Sequence, residues 1–374
     1  MAPVTTWVKK TSLPAVNNNY TAVGLYTLKN QRLVAITGNV EMYCYVSDDE
    51  GNSWTQTHQF PEAFSDPQIR AGKVGPSNMV VAISDADQEN AWVYTSTNSG
   101  TTWQQTAHYN TPFFSPFDPI WAGAALSYGR NTIILGGRFR AAAAGSQVDF
   151  LKSTDGGVSW IENGVLVAGA RTPKPMCLAA SPGGVWLCGS KQITGTAPIY
   201  RSTNFGATWS ATGAYPVPAD NFPDSTWINS IAFVTDSIAI ACGQGNAMTS
   251  RDYAYLYRST DTGLTWTHIP PSSIAGWPLA VFQPLLYTTK RLTKTMCMFG
   301  AGPNTFQARS LLRISYDAGL TYSEAPTGLI YGSGQNALCA GAITTNRRGA
   351  IFLAVADQAG HPNGIDIWKG TVTC

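Results

Sequence analysis

Ser153-Thr154-Asp155-Gly156-Gly157-Val158-Ser159-Trp160 reads as a tight turn closed onto an aromatic, and the chain repeats it. Ser47–Trp54 spells SDDEGNSW, Ser96–Trp103 STNSGTTW, Ser202–Trp209 STNFGATW, Ser259–Trp266 STDTGLTW, and Ser315–Tyr322 the looser SYDAGLTY. The shared pattern is S-x-[DN]-x-G-x-[ST]-[WY], and successive aromatics fall 49, 57, 49, 57 and 56 residues apart. Such regular recurrence is the mark of a repeat architecture. The chemistry fits a hairpin: the Asp or Asn oxygen accepts from backbone N–H groups nearby. The Gly two positions later supplies a positive φ, and the aromatic returns on the next strand to pack under the turn or between repeats.

The octet resembles the Asp-box, or bacterial neuraminidase repeat, of sialidase-like β-propellers. The resemblance implies that the boxes, centred on Asp49, Asn98, Asp155, Asn204, Asp261 and Asp317, are structural and bind neither ligand nor calcium.

Around each box the chain repeats further short strands. MYCYV, AWVY, VDFL, PIYR, YLYR and LLRI stand ahead of the octets. Before them come apolar runs such as LVAI from Leu33, MVVAI from Met79, TIIL from Thr132 and IAIAC from Ile238. Small-residue strands such as IWAGAAL from Ile120 and INSIAF from Ile228 precede these. Bounded by Gly, Asn, Pro and Ser, they are buried strands, and four per repeat is a propeller blade. No helical period persists. After Tyr322 only three strands remain, at Ala337–Thr344, Ala350–Ala356 and Gly364–Lys369, whereas Pro3–Lys9 is spare at the N-terminus. The expectation is an all-β, seven-bladed β-propeller of four-stranded antiparallel blades. It forms a single domain over 1–374, with residues 3–9 completing the blade formed by 334–374 and Trp7 standing in for the box aromatic.

Charged residues make up 12% of the chain and the net charge is +2, which offers no electrostatic attraction for nucleic acid or acidic membranes. No apolar run is long enough to cross a bilayer. The opening MAPVTTWVKK lacks the apolar core of a secretory signal, so cytosolic synthesis is expected. The seven cysteines and four histidines have no metal-ligand or redox spacing, so buried free thiols, no metal and no cofactor are expected.

With the boxes at one end of the blades, the loops leading into first strands and those between second and third strands gather at the other. Sialidase-like propellers place their sites there, and the resemblance directs attention to it. Arg138, Arg140, Arg251 and Arg309, with Trp121 and Tyr253, are the candidate ligand-binding residues, since rings stack on pyranose faces and polar groups take hydroxyls. Asp66, Asp118 and Asp224, at loops leading into first strands, are the candidate carboxylates.

A standard sialidase carries an R-I-P arginine ahead of its first box. Nothing before Ser47 reads so, and Arg32 falls in a turn at the box end. The favoured expectation is a non-catalytic recognition or docking propeller that takes a glycan or a protein partner. Its low charge and Asn/Thr/Gly-rich composition fit a phage tail or capsid appendage assembled into a virion. The alternative is a glycoside hydrolase using two of Asp66, Asp118 and Asp224 as a carboxylate pair.

Overall fold

The computed structural model describes residues 4–13, 22–28, 30–38, 41–61, 67–75, 77–85, 90–110, 125–129, 132–140, 147–166, 174–192, 198–212, 225–247, 251–270, 285–291, 297–302, 311–324, 338–345, 350–357 and 365–373. Regular structure among them is entirely β. After β1 (Val4–Lys9) come β2 (Ala22–Thr27), β3 (Leu33–Gly38), β4 (Met42–Ser47) and β5 (Thr55–Phe60). The next quartet is β6 (Pro67–Lys73), β7 (Met79–Asp85), β8 (Asn90–Ser96) and β9 (Gln104–Asn110). Then follow β10 (Ala125–Gly129), β11 (Thr132–Arg140), β12 (Gln147–Ser153) and β13 (Ile161–Glu162). The chain continues through β14 (Lys174–Ala180), β15 (Trp186–Gln192), β16 (Ile199–Ser202) and β17 (Ser210–Ala211). β18 (Ser225–Phe233), β19 (Ala239–Ala247), β20 (Arg251–Ser259) and β21 (Thr267–Ile269) form another quartet, as do β22 (Leu285–Arg291), β23 (Cys297–Gly302), β24 (Leu311–Ser315) and β25 (Ser323–Glu324). Last come β26 (Leu338–Thr345), β27 (Ala350–Asp357) and β28 (Ile365–Thr373).

Each quartet is an antiparallel meander in chain order, and β14–β17 and β18–β21 are further joined through β15 and β18. The last three strands take β1 as their fourth, in the order β1-β28-β27-β26. Val4 lies opposite Thr373 and Lys9 opposite Trp368. Beyond β1 the pairing continues: Lys10 N–H donates to the Ile367 carbonyl at 2.7 Å, and Leu13 and Ile365 exchange bonds at 2.8 and 3.0 Å. First strands of successive quartets are neighbours from β2 through β6, β10, β14, β18 and β22 to β26, and β26 also neighbours β2.

Most of the core lies between quartets, which explains the unbroken apolar runs. In β7, Met79, Val81 and Ile83 pack against Val34, Ile36 and Phe60 of the preceding quartet. Val80 and Ala82, on the opposite face, pack against Ile133, Leu135 and Leu151 of the following one. A strand covered on both faces needs apolar residues at every position rather than alternate ones.

The boxes close the hairpins between third and fourth strands by one repeated bonding scheme. In the first, Ser53 N–H donates to Asp49 Oδ1 at 2.9 Å and Ser53 Oγ to Oδ2 at 2.6 Å. Ser47 Oγ donates to Asp49 Oδ1 at 2.8 Å while accepting from Gly51 N–H at 2.8 Å. Asn98 and Asn204 reproduce this with Oδ1 taking the backbone bond at 2.9 and 3.0 Å. Their amide nitrogens donate to Thr102 and Thr208 Oγ1 at 2.7 and 2.8 Å. The turn holds a feature the sequence pattern missed: the residue before each box glycine is also left-handed, at Glu50, Ser99, Phe205, Thr262 and Ala318, with φ between 58° and 61°. Gly156 takes that position in the third box.

The box glycine also docks on the preceding quartet. A Cβ on Gly157 would stand 2.5 Å from Val80 Cγ2, on Gly206 2.6 Å from Ile134 Cδ1, on Gly263 2.4 Å from Leu187 Cδ2, and on Gly319 2.3 Å from Ile240 Cδ1. The aromatics fill the same joints: Trp103, Trp160, Trp209 and Trp266 pack into successive inter-quartet clusters.

Trp7, expected at a box-aromatic position, lies mid-strand opposite Gly370 and is 7% exposed. A Cβ on Gly370 would meet its ring at 2.9 Å, so the glycine is what admits the indole.

Candidate functional site

The quartets have two ends of different character. At the box end the polar groups are largely spent on one another. Bonds from the Ser53 side chain and backbone hold the Asp49 carboxyl down to about 2. Burial works to raise Asp155, but bonds from Ser159, Ser153 and the Val158 N–H outweigh it and bring it to about 2 as well. Asp261 and Asp317 are lowered against the same opposing burial.

Arg32 lies at this end, in the turn between β2 and β3. Its Nε and Nη2 grip Asp48 at 2.7 Å each, and Nη1 reaches Thr101 Oγ1 of the next box at 2.9 Å. The guanidinium bridges two boxes and is committed to structure.

Antiparallel register places the starts of first and third strands, and the ends of second strands, at the opposite end. Arg138 and Arg140 lie there, within the last three residues of β11, with Arg140 opposite Gln147. Arg251 opens β20 opposite Ala247, and Tyr253 lies two residues on, opposite Gly245. This corrects one expectation: these four belong to strand ends rather than loops, because β11 and β20 run longer than their apolar runs alone suggest. Asp85 and Asp357 close β7 and β27 at the same end. Asp66, Asp118, Asp224, Arg309 and Trp121 lie outside the described residues.

The strand joint is another feature of this end. Lys191 pairs with Trp227 and Gln192 with Thr226, so β15 and β18 of neighbouring quartets share a ladder. A row of strand positions therefore runs unbroken through Lys174, Lys191, Trp227 and Gln244. Propensity and periodicity do not signal such a join, since it depends on how closely two repeats approach.

Cys44, Cys188 and Cys242 are buried thiols and Cys177 a half-buried one, and none of the four is in a disulfide. Burial pushes Cys44 up to about 11 and Cys188 well above the ordinary thiol value, which leaves both inert at neutral pH. Among the described residues no group of three or more His, Cys, Asp or Glu is placed to hold a metal ion, and no helix is long and apolar enough to cross a membrane.

Residues 4–171 match the family model described as the DUF6242 beta propeller domain. No curated protein matches the chain. Among solved structures, the GH74 xyloglucanase from Xanthomonas campestris aligns at a TM-score of 0.55 and 15% identity over 87% of this chain. The chain spans about half of that enzyme, 49% of its length. A protein of unknown function from Dyadobacter fermentans aligns at 0.53 and 13% identity, covering 98% of this chain and 99% of its own. An α-L-arabinanase of Penicillium chrysogenum, complexed with arabinobiose, aligns at 0.51 and 14% identity, covering 99% and 97%. These likenesses speak to the fold. The chain is an all-β propeller domain of four-stranded antiparallel sheets.

Proposed function

We propose that the chain is a single seven-bladed ring over 1–374, closed where β1 completes the last blade, and that it is a non-catalytic recognition module. The neighbouring of β26 and β2 and the β1–β28 ladder support the ring. Recognition is assigned to the end opposite the boxes, for a glycan or a protein partner. Its carrying observation is that Arg140 of the β10–β13 quartet and Arg251 and Tyr253 of the β18–β21 quartet come to the same end of the strands. Loops of successive blades converge on a propeller axis, so Arg309, Trp121, Asp66, Asp118 and Asp224 belong to the same rim in this reading. The low charge and polar composition support a virion appendage that docks to other virion proteins or to host glycans.

A second reading is favoured by the fold's use in the xyloglucanase and the arabinanase. In it, two of Asp66, Asp118 and Asp224 act across a cleft as acid and as base or nucleophile, roughly 5–9.5 Å apart.

One experiment separates the two. The purified protein is applied to a glycan array that includes arabinobiose and xyloglucan oligosaccharides, beside chromogenic glycosidase and sialidase substrates. Binding without turnover, weakened by Arg251→Ala, supports the recognition module. Turnover abolished by Asp118→Asn or Asp224→Asn in a folded variant supports the hydrolase and overturns the first reading.

A further inference from the structure

The outer strands of the quartets differ in a way the repeat does not require. Four of them are stubs: β13, β17 and β25 have two residues each and β21 has three. β1 has six and ends in Lys9, with Lys10 directly after it. β5 has six residues and β9 seven, and neither holds Lys, Arg, Asp, Glu or Pro. Among the described strands, β5 ladders only with β4 and β9 only with β8.

A strand at the edge of a sheet turns alternate N–H and C=O groups outward, and folded proteins blunt such edges with short strands, lysine, proline or a bulge. The stubs and the lysines of β1 are devices of that kind. β5 and β9 have only a bulge each, at Thr57 and Thr106, where the pairing slips by one residue. Both threonines serve the next quartet: Thr57 Oγ1 donates to the Gly100 carbonyl at 2.7 Å, and Trp160 Nε1 donates to Thr106 Oγ1 at 3.3 Å. Past its bulge β5 keeps three residues and ends on Phe60, which is buried. β9 runs on from Ala107 to Asn110 in unbroken register with Val93 to Asn90. Gln104, Gln105 and His108 are exposed along it. His108 lies opposite Trp92, and the two rings stack with centroids 5.4 Å and planes 11° apart. Trp92 is buried in the core between the first two quartets. The exposed imidazole is therefore the outermost member of a row that runs from Ile83 through Trp92 to the sheet edge.

We infer that β9 is a site of strand addition, which takes an extended, uncharged segment of a protein partner with an aromatic residue against His108. Main-chain bonds along the edge supply the affinity, and alternate side chains the selectivity. A residue of the added strand opposite His108 falls within reach of its ring, and aromatic cross-strand pairs are favoured. A charged segment would find no counter-charge on β9. Area decides between a flexible segment and a second copy of this chain. Seven residues make an edge about 23 Å long, which covers on the order of a few hundred Å². Two folded bodies need roughly 1,200 Å² for a stable interface, whereas an extended segment needs only the strand. The site is separate from the rim opposite the boxes, and neither reading depends on the other.

The test uses the full chain and a displayed library of uncharged heptapeptides, with calorimetry on blocked synthetic copies of those selected. The selected peptides are expected to carry an aromatic residue. His108→Lys should weaken their binding at least tenfold and His108→Ala at least threefold, each with an unchanged melting temperature. Thr267→Lys, on the stub β21, should leave affinity within twofold. Copies N-methylated at alternate residues should lose binding to the unaltered protein, and backbone amides of 104–110 should gain protection from hydrogen exchange when peptide is added. A library that yields no binder overturns the inference, as do binders that either His108→Lys or N-methylation leaves unaffected. A dimer of the chain that His108→Lys dissociates would give the edge to a second copy and overturn the peptide assignment.

Discussion

Arg201 Nε donates to the Thr262 carbonyl at 3.1 Å, across the joint between the β14–β17 and β18–β21 quartets. Arg258 Nε does the same to the Ala318 carbonyl at 2.9 Å one joint later. Both arginines immediately precede a box serine, and both acceptors are left-handed residues just before a box glycine. Lys152 occupies the same position one repeat earlier, and its Nζ lies 5.6 Å from the ring centroid of Phe205, again the residue before a box glycine. The side chain ahead of one box thus holds the turn of the next.

Replacing that side chain should loosen a joint without touching recognition. Arg258→Met keeps most of the aliphatic stem and removes the charged donor, so a loss of about 1.5–3 kcal/mol is expected. Urea unfolding of the variant, with an unchanged slope, measures it.

The box glycines should differ in sensitivity according to what they dock on. Gly263→Ala meets Leu187 at 2.4 Å and keeps a φ of +80°, so overpacking of about 1–3 kcal/mol adds to a left-handed penalty of about 1–2 kcal/mol. Gly51→Ala finds its nearest atom at 3.5 Å and should lose only the second part. Thermal melts of the two variants check the ordering, and Leu187→Ala should partly rescue Gly263→Ala.

Acid should weaken the boxes that carry aspartate. The Asp49 and Asp155 carboxyls are held near 2 when folded, below the usual carboxylate range. A depressed folded value contributes stability above the unfolded pKa, about 4, which is lost as pH falls through the folded one. Melting temperature should therefore drop between about pH 4 and pH 2. An Asp49→Asn, Asp155→Asn double variant should show a shallower drop, since Asn98 and Asn204 close the same turn with no proton to take up.

Removing residues 1–10 should expose the β28 edge and loosen 350–373. Trp7→Ala alone should cost ~3–5 kcal/mol, as for a large aromatic truncated in a core. Amide exchange across β27 and β28 reads the local effect, and an unchanged melting temperature after the deletion would sink the proposed closure.

The boxes, the third strands and the apolar second strands were legible because each carries a local signature: turn chemistry, an aromatic, or a run buried on both faces. The N-terminal strand was legible through counting. The left-handed residue before each box glycine was not, since Glu50, Ser99 and Phe205 share no chemistry; the hydrogen-bonded turn imposes the conformation. The bulges at Thr57 and Thr106 were invisible for a related reason. An added residue inside a short strand leaves no change of period long enough to read. Arg138, Arg140, Arg251 and Tyr253 lie on strand ends where the sequence predicts loops, because their polarity hides strand ends that backbone pairing alone extends.

Five of the six box glycines, Gly100, Gly157, Gly206, Gly263 and Gly319, meet an aliphatic side chain of the preceding repeat, Val34, Val80, Ile134, Leu187 and Ile240 in turn. These sockets share one aliphatic chemistry, although Val, Ile and Leu differ in how closely they approach the glycine. A segment copied or lost in whole periods among these five joints would therefore still present a glycine to an aliphatic socket. One rim can in this way vary while the joints at the other end keep the same kind of plug and socket.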